Sequence, residues 1–195
     1  MTVPPVRFRL NMPPTERQPL LDERAFQRTL HRMALDILRQ TPDPLTLVLV
    51  GIQRRGVELA ARLAALLAQE TGADVPRGAL DITLYRDDLE VVGPRPLVGP
   101  THLPVDLDGR VTWIVDDVLF TGRTVRAALD ELADFGRPAR IGLAVLIDRG
   151  GRELPVQADV VGERVTTRAR DKVEVFVKEL DGRDAVEIVR DGGLP

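Results

Sequence analysis

The 195-residue sequence contains no cysteine. This absence excludes disulfides, thiolate metal sites and cysteine nucleophiles, and it is typical of a reducing compartment, so we expect a cytoplasmic protein. No apolar run approaches the ~20 residues that cross a bilayer, and the first residues lack the apolar core of a signal peptide, so we expect no membrane partner. Only two histidines occur, His31 and His102, which leaves no Ser-His-Asp arrangement for nucleophilic catalysis.

The composition is that of a folded domain, with 44% hydrophobic and 29% charged residues. The net charge of -3 argues against a surface that binds nucleic acid everywhere, although it permits a local basic face. Five prolines among residues 1–20 predict an extended, poorly ordered arm, because proline removes backbone donors and helical freedom. We expect residues 21–195 to form a single domain.

Apolar periodicity predicts an α/β fold with a doubly wound, mainly parallel sheet. Helices are predicted over 21–40, 55–70 and 123–135, and buried strands over 45–50, 79–85, 111–115 and 139–147. Residues after 148 read as shorter strands that form a small β-rich edge. The segment 86–109 is too long for a plain connection, which favours a functional or mobile loop.

The stretch 112–124, TWIVDDVLFTGRT, combines an apolar strand, two carboxylates and a tight turn into a helix. Asp116 and Asp117 are predicted at the carboxyl end of the strand, where open α/β sheets bind ligands. The turn Thr121–Thr124 offers free N–H groups and the positive end of a helix dipole to a phosphate. Because the carboxylates would repel that phosphate, they need neutral or cationic partners, and a phosphorylated ribose satisfies both demands. The alternative is a solvated loop or helix cap.

This pattern closely resembles the phosphoribosyl pyrophosphate (PRPP) motif of the type I phosphoribosyltransferases. The wider resemblance, from about Asp22 to Ile188, is to the PyrR family of pyrimidine operon regulators that are also uracil phosphoribosyltransferases. It rests on DITLYRDDL, VDDVLFTGRTVRAALDEL, DRGGRELP and VEVFVKELDG. The resemblance implies a β-rich hood, conversion of uracil and PRPP to UMP and diphosphate, and Mg²⁺ that is held through PRPP rather than by direct protein ligands.

The resemblance also implies residue roles. Asp116 and Asp117 would hold the ribose hydroxyls, and the remaining motif residues would complete the PRPP site: Val118, Leu119, Phe120, Thr121, Gly122, Arg123 and Thr124. Arg54 and Arg55, which follow the first sheet strand, would bind pyrophosphate; alternatively they are a solvated helix start. Arg86 would act from a loop that closes over PRPP and reach the leaving group, or it belongs to a polar hairpin tip.

PyrR proteins bind a hairpin in pyrimidine leader mRNA, and the resemblance extends to Arg28, Arg32 and Arg152 as RNA-binding residues. Leu35, Gly151 and Glu163 depart from the family, which commonly has His, His and Lys there. A solvated charged face is the alternative for this patch. The resemblance further implies a homodimer or homotetramer.

Three hypotheses remain open from the sequence. The first is a uracil phosphoribosyltransferase that also regulates pyrimidine genes through RNA. The second is a regulator that retains the PRPP site for ligand binding with negligible turnover. The third is a type I phosphoribosyltransferase for another base, such as hypoxanthine or orotate, with no RNA role.

Overall fold

A computed structural model describes residues 16–41, 43–82 and 101–190. The predicted loop residue Arg86 and the first fifteen residues of the predicted arm lie outside the described residues. No helix in the described part of the chain is long and apolar enough to span a bilayer.

The main sheet has five parallel strands in the order β3-β2-β4-β5-β6. The fold prediction of a parallel α/β sheet is therefore confirmed. Its strands are β2 (Leu47–Ile52), β3 (Arg77–Leu80), β4 (Val111–Leu119), β5 (Arg140–Asp148) and β6 (Val160–Arg164). The strand β6, the first of the short strands predicted after residue 148, lies at the edge of this sheet and pairs in parallel with β5.

Helices cover both faces of this sheet. They are α1 (Glu23–Gln40), α2 (Arg55–Thr71) and α3 (Arg123–Ala133). Alternate residues of β2 point to opposite sides, so that Leu47 and Leu49 pack in the core with α1 and α2, whereas Val48 and Val50 pack with α3. This arrangement explains why every residue of β2 is buried and why its sequence is apolar throughout.

The helix α1 begins at Glu23, two residues later than predicted, because Leu21 ends β1 and Asp22 caps the helix. The Asp22 carboxylate accepts a hydrogen bond from the Ala25 N–H at 2.7 Å, which satisfies one free donor of the first turn. Its apolar stripe includes Phe26, Leu30 and Ile37, all fully buried. The opposite face therefore stays available for charged side chains.

A second, antiparallel sheet has the order β1-β8-β7, with strands β1 (Glu16–Leu21), β7 (Lys172–Phe176) and β8 (Ala185–Arg190). A short helix, α4 (Lys178–Asp181), joins β7 to β8. We call residues 16–21 and 172–190 the hood. The last residues of the predicted arm thus form an edge strand, and Pro19 is compatible with that position because an edge strand needs fewer N–H donors.

Candidate active site

The two adjacent carboxylates lie inside β4 and not beyond its end. The sequence predicts that this strand stops at residue 115, but pairing with β5 continues from Asp116 to Leu119. Asp116 is only 7% exposed, and its Oδ1 accepts a hydrogen bond from the Asp117 N–H at 3.0 Å. The Asp117 carboxylate in turn accepts one from the Val118 N–H at 2.8 Å. These bonds fix both carboxylates at the carboxyl edge of the sheet.

The surroundings of Asp117 disfavour its charged form. Burial raises the pKa of its carboxyl group, and the hydrogen bonds and the positive charge of Arg55 offset this only partly. A buried carboxylate beside a cation suits a ligand that brings hydroxyl donors, because each donor replaces lost hydration.

The turn between β4 and α3 has the geometry expected of an anion cradle. Gly122 caps α3 with φ of 94° and presents no side chain to the first N–H groups of the helix. The first turn of α3 contains no acidic residue. The Thr121 carbonyl accepts hydrogen bonds from the Glu153 and Leu154 N–H groups, both at 3.0 Å, which anchor the turn to the loop after β5.

The neighbouring residues of the motif have different surroundings. Leu119 is buried, Phe120 is 36% exposed, and the Arg123 guanidinium contacts the exposed Glu153 carboxylate at 2.9 Å. The Arg123 N–H also donates to Thr121 Oγ1 at 3.3 Å. The motif therefore combines the buried side chain of Leu119 with the exposed side chains of Phe120 and Arg123.

The loop between β2 and α2 packs against the end of β4. Added Cβ atoms would overlap the Gly56 carbonyl at Gly51 and the Val115 carbonyl at Gly56, so this close approach requires glycine at both positions. The peptide bond between Gln53 and Arg54 is cis. The close packing at Gly51 and Gly56 places the loop at the same sheet edge as the two carboxylates.

The two arginines of this loop have different environments. Arg54 is exposed, whereas the Arg55 guanidinium bonds to both carboxylate oxygens of Asp181 in α4, at 3.0 and 3.3 Å. Asp181 also accepts the Val177 N–H at 2.8 Å, and these contacts hold its pKa below the ordinary value although burial opposes them. Arg55 therefore connects the loop to the hood.

A cavity of about 380 Å³ lies between the sheet edge and the hood. Its lining includes Arg55 and Asp117 from the sheet side and four residues of β7, Val173, Glu174, Val175 and Phe176. One wall is charged and the other combines an apolar strand with one carboxylate. Such a cavity suits a compact polar ligand with a planar or apolar part.

The loop after β5 contains functional-site residues that the sequence reasoning did not single out. Asp148, the last residue of β5, bonds to Arg152 at 2.6 Å and Arg164 at 3.0 Å. Burial raises the pKa of Asp148, but these partners and the Gly150 N–H outweigh it, so the net shift is downward. The adjacent Arg149 is also buried. Its position directly after an apolar strand is the one feature of the sequence that could have indicated this burial.

Arg152, predicted to contact RNA, is turned toward the protein. Its guanidinium donates to the Leu119, Phe120, Gly150 and Val156 carbonyls, in addition to its bond with Asp148. It therefore stabilises the backbone at Leu119 and Phe120, between the two carboxylates and the turn into α3. A phosphate contact by Arg152 would have to compete with these bonds.

Arg28 and Arg32 lie together on the exposed face of α1. They border a groove of about 340 Å³ that Glu163 of β6 also lines. Arg32 donates to the Val161 and Gly162 carbonyls, while Arg28 has no ion-pair partner among the described residues. The structure thus brings two of the three predicted RNA-binding arginines to one surface and places Glu163 beside them.

No cluster of three or more His, Cys, Asp or Glu side chains that could hold a metal ion occurs within residues 16–41, 43–82 and 101–190.

The fold agrees with the comparisons to known proteins. Residues 17–181 match the phosphoribosyl transferase domain family. Among solved structures, the hypoxanthine phosphoribosyltransferase of Trypanosoma cruzi is 19% identical, with a TM-score of 0.66 over 89% of this chain and 97% of that chain. A hypoxanthine-guanine phosphoribosyltransferase from Bacillus anthracis gives 21% identity and a TM-score of 0.60 over 79% and 85%. Both comparisons concern the fold alone.

Relatives with higher sequence identity narrow the assignment to one family of proteins with this domain. A bifunctional protein PyrR from Chloroflexus aurantiacus is 54% identical over 171 residues, which cover 88% of this chain and 94% of the relative. Another from Thermus aquaticus is 52% identical over 169 residues, or 87% and 93%. The chain therefore belongs to the PyrR family of phosphoribosyltransferase-domain proteins.

Proposed function

We propose that the protein transfers the phosphoribosyl group of PRPP to uracil, which yields UMP and diphosphate. One observation carries the proposal: the buried Asp116 and the adjacent Asp117, which lines the cavity under the hood, lie at the same sheet edge as an acid-free helix turn. The pair suits ribose hydroxyls and the turn suits a phosphate, so together they match a ribose 5-phosphate.

Each group of residues would bind a different part of PRPP. Asp116 and Asp117 would accept hydrogen bonds from the two ribose hydroxyls, and the N–H groups of Thr121–Thr124 would hold the 5′-phosphate. Arg54, which is exposed at the same edge, would bind the pyrophosphate. Arg55 would contribute charge there while it remains bonded to Asp181. Arg86 remains a proposal from the sequence, as a residue that reaches the leaving group.

Mg²⁺ would be held through the oxygens of PRPP, where it neutralises the departing diphosphate. The protein itself needs no nucleophile, since placement and electrostatic stabilisation of the developing charges account for catalysis. A ligand that fills the cavity would leave less room for water beside the sugar carbon, which would favour attack by the base.

Direct turnover tests this proposal. The purified chain is incubated with PRPP, Mg²⁺ and uracil, and UMP is quantified; parallel reactions contain hypoxanthine or orotate. We expect UMP as the main product and its loss without PRPP. Product from another base but not from uracil would replace the proposal with a different phosphoribosyltransferase, and no product from any base would leave a ligand-binding regulator.

A second function, binding of pyrimidine leader mRNA, is favoured by the exposed Arg28 and Arg32 on one face of α1 and by membership of the PyrR family. If both arginines contact phosphates, Arg28→Ala with Arg32→Ala lowers the slope of log affinity against log salt by about 0.7–0.9 for each contact. Assembly into a homodimer or homotetramer would join such faces from different subunits, and light scattering after gel filtration measures the assembly.

The matched control is Arg126→Ala, which removes an exposed arginine from α3. We expect the control to keep the wild-type slope and both variants to keep uracil turnover. Equal affinity of the wild type for its own leader and for a scrambled RNA, with UMP present, would refute the RNA function.

A further inference from the structure

Asp181, in the short helix α4 of the hood, holds one side of the Arg55 guanidinium. Its two carboxylate oxygens accept hydrogen bonds from Nε at 3.3 Å and from Nη2 at 3.0 Å. Arg55 Nη1 makes no hydrogen bond with the residues that the structure describes. Because Arg55 lines the cavity under the hood, the unused Nη1 donors can serve a ligand there.

The Asp181 carboxylate is fixed independently of Arg55. Its Oδ2 accepts a hydrogen bond from the Val177 N–H at 2.8 Å, and the Asp181 N–H donates to the Val177 carbonyl at 2.7 Å. The Asp181 side chain is 20% exposed, whereas that of Arg55 is 38% exposed. The shorter and better fixed partner therefore sets the position of the longer side chain, which has more conformational freedom to lose.

The charges in this contact do not cancel the attraction of the loop for an anion. Burial raises the pKa of Asp181, but hydrogen bonds and the charges of both loop arginines outweigh it, so the pKa lies below its ordinary value. The carboxylate is therefore ionised at neutral pH, where it balances one of the two arginines. The other, Arg54, is exposed, so the loop retains a positive charge.

We propose that Asp181 is a positioning residue of the phosphoribosyl transfer site, which holds Arg55 so that Nη1 binds the diphosphate part of PRPP. This inference rests on the proposed function. A ligand that must itself immobilise an arginine binds less tightly, because the ordering of a long side chain costs conformational entropy. Asp181 removes that cost before PRPP binds. The alternative is that Asp181 competes with PRPP for Arg55, and the two hypotheses predict opposite effects of its removal.

Isothermal titration of the full chain with PRPP and Mg²⁺, without uracil, tests the assignment. For Asp181→Asn we expect the PRPP affinity to fall by about 2- to 10-fold, the range for the ordering of one long side chain. For Arg55→Met we expect a fall of about 10- to 100-fold, because a hydrogen bond from a charged donor is lost. In the double variant the Asp181 substitution should cause no further loss, since it acts through Arg55.

Asp184→Asn is the matched control. Asp184 also belongs to the hood and also binds an arginine of α2, because it accepts two hydrogen bonds from Arg62, both at 2.8 Å. Its replacement weakens the attachment of the hood but leaves the contact between Arg55 and Asp181 in place. We expect wild-type PRPP affinity at a temperature at which circular dichroism shows every variant to be folded.

Steady-state turnover with uracil gives a second measure. For Asp181→Asn the KM for PRPP should rise by the same factor as the dissociation constant, whereas the KM for uracil should stay unchanged. A general loosening of the hood would raise both, because four residues of β7 line the cavity.

The possible failures differ from one another. Unchanged PRPP affinity in the folded Asp181→Asn variant would overturn the positioning role, and tighter binding would overturn it in favour of competition. An equal loss in the Arg55→Met background, or in Asp184→Asn, would overturn it by assigning the effect to the hood as a whole. If the wild type binds PRPP but forms no UMP, the proposed uracil transfer fails while the binding results still decide the role of Asp181. If the wild type does not bind PRPP, both proposals fail.

Discussion

Replacement of Asp184 by Asn tests whether the hood depends on a buried ion-pair network. The Asp184 side chain is 1% exposed and accepts four hydrogen bonds of 2.8 Å: two from Arg62, one from Gln27 and one from the Lys178 N–H. Arg62 belongs to α2 and also pairs with Glu179 at 2.6 Å. Asp184 therefore attaches the hood to α2, the helix that follows the loop proposed to bind pyrophosphate.

The expected cost follows from these contacts. Removal of one partner from a buried pair costs about 3–5 kcal/mol, and we expect about 3 kcal/mol for Asp184→Asn because Arg62 keeps Glu179. For a chain of this size, this corresponds to a decrease of about 6–12 °C in Tm. Asp130→Asn is the control, since its ion pair with Arg126 is exposed and should contribute no more than about 1 kcal/mol.

Urea unfolding followed by the fluorescence of the single tryptophan, Trp113, measures the two variants. Trp113 is fully buried and donates to Thr41 Oγ1 at 2.9 Å, so it reports on loss of the main core. If Asp184→Asn destabilises the protein no more than Asp130→Asn, the network does not hold the hood, and the reasoning is wrong.

The same network predicts a pH dependence. Burial raises the pKa of Asp184, but the hydrogen bonds from Arg62, Lys178 and Gln27 and the charge of Arg62 outweigh it, so the folded-state pKa is depressed. Its stabilisation is therefore present above the unfolded pKa of about 4 and is lost as the pH falls through the folded pKa. The stability difference between wild type and Asp184→Asn should be largest near pH 7 and shrink below about pH 4.

Other substitutions test the candidate site. Asp116→Asn and Asp117→Asn should each lower kcat/KM for PRPP by about 10- to 100-fold in steady-state assays, because each weakens a charge-assisted hydrogen bond of about 1.5–3 kcal/mol, and wild-type kinetics in both would refute the ribose assignment. Gly151→Ala should destabilise the protein in urea unfolding more than Gly150→Ala. Both glycines have φ of 71°, but only an added Cβ at Gly151 would overlap the Phe120 ring.

The repeating pattern of apolar residues predicted the parallel sheet because such strands are buried on both faces. The same reasoning misplaced the end of β4, since two adjacent aspartates normally mark the end of an apolar strand. Pairing continues because β5 presents Val145 opposite Asp116 and Ile147 opposite Val118. The end of β4 therefore depends on its pairing with β5, and the sequence around Asp116 gives no information about that pairing.

Long-range contacts account for most of what the sequence could not predict at the site. Arg55 and Asp181 are 126 residues apart, and no local pattern links the start of α2 to the short helix α4. The parallel direction of β6 could not be predicted from the sequence either. An irregular segment separates β6 from β5, and such a segment permits a parallel or an antiparallel orientation. The carboxylate pair and the glycine turn, by contrast, form one continuous stretch, so their shared position was predictable.

The departure at Gly151 has a physical explanation within the candidate site. Phe120 lies between the Arg149 guanidinium and Gly151, and any Cβ at residue 151 would overlap the ring. The histidine expected there from the family therefore cannot be accommodated while Phe120 keeps this position. Gly151→His would displace the ring and with it the surface on which Arg149 rests. A change in RNA affinity after that substitution would consequently need a parallel measurement of UMP binding before it could be attributed to an RNA contact.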